Sequence, residues 1–344
     1  PAPAAALGAP TEEAERRANA DQQADSQALG GQADAASAEP TSAPAASGIG
    51  QASHPPTLCF LNLFSGPYHR LDSLKQRMLD FGWRDVIQMD NDAETGGGES
   101  HDVLKNDKVY HEVLRAAHAG KIHSMMIAFP CSTASITRHF KAAGGGPPIL
   151  RTSEYPDGLP EDQIPSDHRK ELKNANRLLD RVVNIAIAAH NSSAKTTIIF
   201  ENPADRSEGR GMYDLEMINH GSIFKTTPFK RLLAAVQMSS ATFAMCKFKG
   251  KSQKYTTLYY TNDAASVLDQ LDLPEYKCDH EGKHEQVAGG KRPDGTWAST
   301  DTAYPDEFHV RLAMAFTAAR TGSARPINAP APIAERELIA SRNA

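Results

Sequence analysis

The sequence is poor in the features that mark secreted, membrane-spanning and strongly basic proteins. It has only four cysteines in 344 residues, which argues against a disulfide framework and indicates a reducing compartment. No apolar run approaches the length of a membrane span. The formal net charge is −5, so no basic excess points to nucleic acid. We therefore expect an intracellular protein, in the nucleus or a host cytoplasm, without a secretion or membrane signal.

Both ends of the chain have the composition of tails. Residues 1–54 contain no aromatic side chain and too few branched aliphatics to offset the entropy of ordering, which predicts a disordered segment. This segment holds seven of the 42 acidic and two of the 37 basic residues, which leaves 35 of each in the rest of the chain. Six lysines between positions 225 and 254 could still form a basic face. The Ala- and Pro-rich residues 323–344 predict a second tail.

Between the tails, short apolar runs alternate with segments of helical periodicity. Strands are predicted at 57–64, 85–89, 124–129 and 196–200, and helices at 70–81, 109–117 and 168–190. This alternation predicts an α/β fold, a Rossmann-like, mixed and mostly parallel sheet with helices on both faces. We divide the folded part into a catalytic core at 55–207, a small β-containing substrate-recognition region at 208–300, and a C-terminal helix at 301–322 that returns to the core.

Residues with chemical potential fall where the predicted strands end. Gly66 follows the first strand, Asp90 the second and Cys131 the third, while Glu201 and Asn202 follow the fourth. In open α/β sheets the ligand binds at the carboxyl ends of the strands, so these positions predict a common site.

Two of these residues have competing interpretations when each is taken alone. A thiol just after a buried strand can act as a nucleophile if its pKa is lowered, but an isolated cysteine is more often a structural thiol. A carboxylate such as Glu201 is costly at a buried strand end unless it is paired or functional, but it can also cap the next helix. Their order along the chain decides between these interpretations.

Taken in order, these segments resemble the cytosine-C5 DNA methyltransferases. Leu63-Phe64-Ser65-Gly66 is similar to the family's opening cofactor loop, Pro130-Cys131 to its Pro-Cys motif and Glu201-Asn202 to its Glu-Asn motif. The likeness covers roughly residues 57–207 and continues more loosely to about 320. It is closest to a divergent phage and mobile-element branch, in which Pro follows Glu-Asn and which residues 246–262 and 302–305 also fit.

The resemblance implies a methyltransferase that uses S-adenosyl-L-methionine (AdoMet) to methylate C5 of cytosine in double-stranded DNA. It implies that Cys131 attacks C6 of the base, that Glu201 holds N3, and that Asn202 maintains the loop beside them. The implied cofactor contacts are Phe64, Ser65, Gly66, Asp90, Asp102 and Pro130. Arg138 and Arg151 are candidates for substrate binding. The oligomeric state is not predicted.

Several alternatives remain open at this stage. Few glycines follow the first strand, and no closing motifs are evident, as expected for a catalytically inactive, mobile-element-encoded module that binds DNA or a partner. RNA could replace DNA as the substrate. Pro130-Cys131 argues against an adenine-N6 enzyme, and the absence of Gly-x-Gly-x-x-Gly argues against an NAD-dependent one.

A second group of residues has the side chains of a metal site. Cys278, His280 and His284, together with Cys246 upstream, could form a tetrahedral zinc centre. Their spacing is not that of a standard zinc finger, and Cys246 is distant in sequence. We therefore predict no metal centre and interpret them as unlinked surface residues, with structural zinc as the alternative.

Overall fold

In the computed structural model the described residues are 58–66, 68, 70–93, 96–139, 147–209, 217–280, 284 and 303–323. They belong to the unit Pro55–Ala344. Residues 1–54 and 324–344 of the predicted tails lie outside the described residues, as does most of the stretch between 281 and 302.

Six strands form one sheet, in the order β2-β1-β3-β4-β6-β5. They are β1 (Cys59–Leu63), β2 (Asp85–Met89), β3 (Ser124–Ala128), β4 (Thr197–Pro203), β5 (Met238–Ala244) and β6 (Tyr255–Thr261). Strands β1 to β4 pair in parallel, and β6 runs antiparallel between β4 and β5. The mixed, mostly parallel sheet confirms the predicted α/β class. The two strands of the region predicted at 208–300 extend this same sheet.

Six α-helices lie on the two faces of the sheet in the described part of the chain. They are α1 (Leu74–Asp80), α2 (Asp107–His118), α3 (Ser166–Asn191), α4 (Thr227–Ala235), α5 (Ala265–Leu268) and α6 (Asp306–Thr321). Helices α2, α3 and α4 contribute to one apolar layer, and α1, α5 and α6 to the other. None of the described helices is both long and apolar enough to cross a membrane.

The unpredicted helix α4 has a local start signal. The Thr226 side chain accepts a hydrogen bond from Phe229 N–H, and a proline occupies the first turn. Helix α1, in contrast, begins four residues later than the predicted start at 70, because Ser73 acts as its N-cap and accepts from Gln76 N–H. Polar side-chain caps rather than apolar periodicity therefore set these boundaries.

Burial on both faces explains why the strands appear as continuous apolar runs. All five residues of β1 are buried, and Phe60 and Leu63 belong to opposite apolar layers. On one face Phe60 packs edge-on against Phe316 of α6, with ring centroids 4.8 Å apart. The C-terminal helix is thereby part of the core.

The register of the sheet sets the position of the site. Strands β3 and β4 are neighbours, and Ala128 lies opposite Glu201. Cys131 follows just beyond the end of β3. Glu201 and Asn202 lie within β4 rather than after it, because β6 pairs with them and extends the ladder to Pro203. Antiparallel addition of β6 thus fixes the backbone of the Glu-Asn motif on both sides.

Candidate active site

A cavity of about 550 Å³ opens at the carboxyl edge of the parallel strands. Its lining includes six residues that the sequence predicted for the site, namely Phe64, Ser65, Gly66, Pro130, Cys131 and Glu201. The volume lies within the range of small-molecule sites, roughly 300–1,000 Å³. The folded chain therefore brings the three predicted motifs to one cavity.

Cys131 is partly buried at this cavity and leads into a short 3₁₀ turn. Burial raises the pKa of its thiol, the positive charge of Lys254 lowers it, and the negative charge of Glu201 raises it. Since the thiolate is the reactive form of cysteine, Lys254 opposes the effect of burial.

Glu201 is 2% exposed, and its two carboxylate oxygens have different surroundings. Oε2 accepts a short hydrogen bond from the Tyr304 hydroxyl. Oε1 has no hydrogen-bond partner among the described residues, and Lys254 Nζ lies 3.7 Å from it as an ion-pair neighbour. A buried carboxylate oxygen without a hydrogen bond is costly, and facing a cavity it can accept one from a ligand.

Tyr304 and Lys254 are site residues that the sequence argument did not identify. Burial and the negative charge of Glu201 raise the pKa of the Tyr304 phenol well above its ordinary value, so the phenol keeps its proton and donates to Glu201. Lys254 Nζ lies 4.7 Å from the centroid of the Tyr304 ring. Both residues fall in stretches that carry the family resemblance, 302–305 and 246–262. That signal could have found them.

Asn202 supports the strand end before the thiol. Its side-chain Nδ2 donates to the backbone oxygen of Phe129, at 2.8 Å, and the residue is 2% exposed. This bond joins β4 to the residue before Pro130. The position of Asn202 fits the predicted role of holding the backbone beside the site.

The loop after β1 approaches the cavity with a strained backbone. Gly66 has φ +67°, and a side chain there would find nothing within 4 Å, so the space beside it is open. Phe64 also has a positive φ, of 61°, which is uncommon for a non-glycine residue. Although the loop contains few glycines, Gly66 alone leaves room for a ligand beside the backbone.

The two predicted cofactor aspartates do not line the cavity. Asp90 Oδ2 accepts a hydrogen bond from Gly66 N–H at 2.9 Å, so Asp90 holds the loop that does line it. Asp102 is buried at 5% exposure, and its Oδ1 accepts from Leu104 and Lys105 N–H. Asp102 therefore caps a turn.

The two arginines predicted to contact substrate also lie outside the cavity wall. Arg138 donates to the backbone oxygens of Ser132 and Pro148 and to the Glu171 carboxylate. Arg151 is 1% exposed, and burial lowers the pKa of its guanidinium to about 10.

Both arginines instead support the turn that follows the thiol. Arg138 bonds to Ser132, and Arg151 donates to Thr133 Oγ1 at 3.0 Å. His220, 1% exposed, donates from Nε2 to Ala134 O at 2.9 Å. We call Ser132–Ala134 the nucleophile turn. A buried side chain holds each of its three residues.

His309 is a further cavity residue that the sequence did not indicate. Its Nδ1 donates to the Asp72 backbone oxygen at 2.6 Å. Burial lowers the pKa of its ring to about 4. Arg70, also at the cavity, donates to the Asp72 carboxylate at 2.7 Å. At neutral pH the ring is uncharged, so Arg70 and Lys254 are the cationic side chains among the described lining residues.

The four metal-ligand candidates are not unlinked, contrary to our interpretation. The ligand atoms of Cys246, Cys278, His280 and His284 all lie within 4.8 Å of one another. Cys246 follows β5 in a 3₁₀ turn, and the other three lie after the short turn Pro274–Tyr276. Packing of that segment against the start of β6 brings the distant Cys246 to the others.

The lysine-rich stretch does not form an unopposed basic face. Lys225 pairs with Asp205 at 2.9 Å and Lys247 with Asp279 at 2.6 Å. Lys249 pairs with Glu307. Nearby carboxylates therefore offset much of the charge that the sequence concentrates there.

Fold and cavity together define an α/β protein of Rossmann-like architecture with a thiol and a carboxylate at the carboxyl edge of its sheet. No family model matches the chain, and no curated protein matches it. Among solved structures, the Dnmt2 methyltransferase of S. pombe is similar, with a TM-score of 0.33 and 10% sequence identity. The match covers 70% of this chain and 63% of that chain, which is less than two thirds of its length. The chemistry of the cavity, not this distant likeness, supports the proposal made below.

Proposed function

We propose that this chain is an AdoMet-dependent methyltransferase that modifies C5 of cytosine in DNA through a covalent adduct with Cys131. The observation that carries the proposal is the pairing of a thiol with a buried carboxylate oxygen that has no hydrogen-bond partner, on one cavity. This pairing suits a ring that accepts a nucleophile at one atom and donates a hydrogen bond from another. The order of the Pro-Cys and Glu-Asn motifs favours cytosine as that ring.

The residues present fit a bound AdoMet. Phe64, Ser65, Gly66 and Pro130 line the cavity, and the open space beside Gly66 leaves room for a ligand against the backbone. Asp90 would hold this loop rather than contact the cofactor directly. When bound, AdoMet would supply an electrophilic methyl group.

The protein's own groups would carry the covalent chemistry on the base. The Cys131 thiolate adds to C6, forming the S–C6 bond, and the electron pair of the C5–C6 double bond makes C5 nucleophilic. As the adduct forms, N3 takes up a proton from solvent, and Glu201 Oε1 stabilises the adduct by accepting a hydrogen bond from this N3–H. N3 releases the same proton to solvent when the adduct breaks down. After C5 has been modified, loss of its proton returns the electron pair, and the S–C6 bond breaks to regenerate the thiolate.

Lys254 and Tyr304 would support the two reacting side chains, Cys131 and Glu201. Lys254 favours the thiolate of Cys131, and the Tyr304 hydroxyl donates to Glu201 Oε2. In a duplex the target base must first leave the stack, which costs about a few kcal/mol. Arg70 and Lys254 at the cavity would offer charge to the adjacent phosphates.

Mechanism-based trapping tests the proposal. The full-length protein is incubated with AdoMet and a DNA duplex containing 5-fluorocytosine, because fluorine at C5 cannot leave as a proton. We expect an adduct that survives denaturation and maps to Cys131 by peptide mass spectrometry. Cys131→Ser should abolish it, whereas Cys59→Ser, which changes a buried thiol of β1, should not.

Two further arms separate the alternatives. The same sequence as RNA is tested in parallel, and trapping on RNA alone would assign an RNA methyltransferase and overturn the choice of DNA. Calorimetry with AdoMet is run on the same preparation. Absence of both cofactor binding and adduct would contradict the enzymatic proposal and favour an inactive binding module.

A further inference from the structure

The Cys246, Cys278, His280 and His284 side chains form a compact cluster beside the sheet. We propose that this cluster binds one structural zinc ion. The four candidate ligand atoms lie within 4.8 Å of one another. Two thiolates and two neutral imidazoles form a donor set of the kind found in closed, tetrahedral zinc sites.

Two of the distances within the cluster match the edges of a zinc tetrahedron. With Zn–S near 2.3 Å and Zn–N near 2.0–2.1 Å, tetrahedral geometry places sulfur and nitrogen about 3.6 Å apart. Cys278 Sγ lies 3.6 Å from His280 Nδ1 and 3.5 Å from His284 Nε2. Two independent edges of the cluster thus already have the length that a central zinc requires.

The Cys278 sulfur has Cys246, His280 and His284 as neighbours, and each of the four side chains can present a lone pair to a metal ion. A cation at the centre gives all four lone pairs a common partner, and soft thiolate with imidazole favours zinc over magnesium or calcium.

Hydrogen bonds with neighbouring groups orient Cys278 within the cluster. The backbone N–H of Cys278 donates to the Tyr255 hydroxyl at 3.0 Å. The backbone of His280 and the side chain of Gln253 hydrogen-bond to Cys278. Such outer contacts orient metal ligands and are part of a working site.

The position of the cluster connects it to the candidate active site. Tyr255 begins β6, and its backbone oxygen accepts from Ala204 N–H, just after the Glu-Asn-Pro segment. Lys254, the neighbour of Glu201 in the cavity, directly precedes Tyr255 in the sequence. Zinc would therefore fix the backbone that carries Lys254. The metal site itself does not depend on the proposed methyl transfer.

The test measures metal on the full-length protein, purified under reducing conditions with zinc in the growth medium. We expect about one zinc ion per chain by elemental analysis. Replacement by Co²⁺ should give tetrahedral d–d bands and a thiolate-to-cobalt charge-transfer band. Cys278→Ser and His284→Asn should each lower zinc content at least roughly fivefold, and Cys59→Ser should not.

The outcomes separate metal binding from folding and from catalysis. His284→Asn changes a partly exposed residue and keeps the test decisive if Cys278→Ser fails to fold. Zinc below roughly a tenth of the chain concentration, with no cobalt charge-transfer band, would overturn the proposal. A Cys246–Cys278 disulfide in the reduced preparation would overturn it too. Neither result bears on adduct formation at Cys131, so the two proposals can fail separately.

Discussion

Two regions border the cavity, and they treat their polar groups in opposite ways. The nucleophile turn, Ser132–Ala134, is held by hydrogen bonds from the side chains of Arg138, Arg151 and His220. In this region the polar side chains have partners within the protein. The opposite side, which we call the carboxylate wall and which consists of Glu201, Lys254 and Tyr304, leaves Glu201 Oε1 without a hydrogen bond.

This difference distinguishes residues that stabilise the fold from residues that take part in the proposed reaction. Buried polar groups that are fully partnered stabilise a fold, whereas an unpartnered one at a cavity costs stability and is retained where function requires it. We therefore expect changes in the nucleophile turn to lower stability and changes in the carboxylate wall to lower activity.

Glu201→Gln should have the largest effect. The amide is nearly isosteric but carries no negative charge to stabilise the protonated N3, so we expect kcat/KM for DNA methylation to fall by roughly 10²–10⁴-fold. The melting temperature should stay the same or rise, because the buried charge is removed. Glu112→Gln, on the exposed face of α2, serves as the control and should change neither quantity. Full activity of Glu201→Gln would show that the Glu201 carboxylate takes no part in the reaction.

Arg151→Met tests the nucleophile turn. The substitution leaves Thr133, Asn176 and the Pro156 backbone oxygen without their buried donor, so the free energy of unfolding should fall by about 2–4 kcal/mol. Urea denaturation measures this loss. Arg177→Met, at an exposed ion pair with Asp107, should change the stability by less than about 1 kcal/mol. If the Arg151 variant has normal stability but binds DNA more weakly, the original prediction that Arg151 contacts the substrate would be supported instead.

Lys254→Met should move the pH dependence of methylation. Because the positive charge of Lys254 lowers the pKa of Cys131, removing it raises that pKa. The thiolate then forms only at higher pH, so the acidic limb of kcat/KM shifts upward. Glu201→Gln removes a negative charge that raises the same pKa, so its limb shifts downward. Lys108→Met, on exposed α2, is the control. Shifts of the same sign in the two wall variants would contradict this electrostatic picture.

Tyr304→Phe should have the smallest effect. It removes one hydrogen bond to Glu201 Oε2 and keeps the ring, so kcat should fall by roughly tenfold, the equivalent of one hydrogen bond. KM for DNA should change little if Tyr304 only positions the carboxylate. Steady-state kinetics separate the two constants, and a rise in KM alone would assign Tyr304 to base binding instead.

The sequence was sufficient for the elements whose boundaries depend on burial. Strand β2 matches its prediction, and β1 and β3 lie inside theirs. For β1 and β3 the reason is burial on both faces, which requires apolar residues along most of the strand. The motifs at the strand ends reached the same cavity because parallel neighbouring strands end at one edge. Cys131 and Glu201 were identifiable in this way without any knowledge of their distance.

Only the tertiary structure decided which charged residues serve the cavity. Arg138 and Arg151 have the side chains of substrate ligands, yet packing places them behind the nucleophile turn. Lys254 and Tyr304 reach Glu201 from segments that lie far apart along the chain. The direction of a side chain depends on the neighbours it packs against, and one-dimensional spacing does not contain them. For the same reason the sequence offered Cys246, Cys278, His280 and His284 as metal ligands but did not show that they converge, because their convergence follows from strand pairing and loop packing. The local apolar pattern, in contrast, was enough to predict the parallel strands.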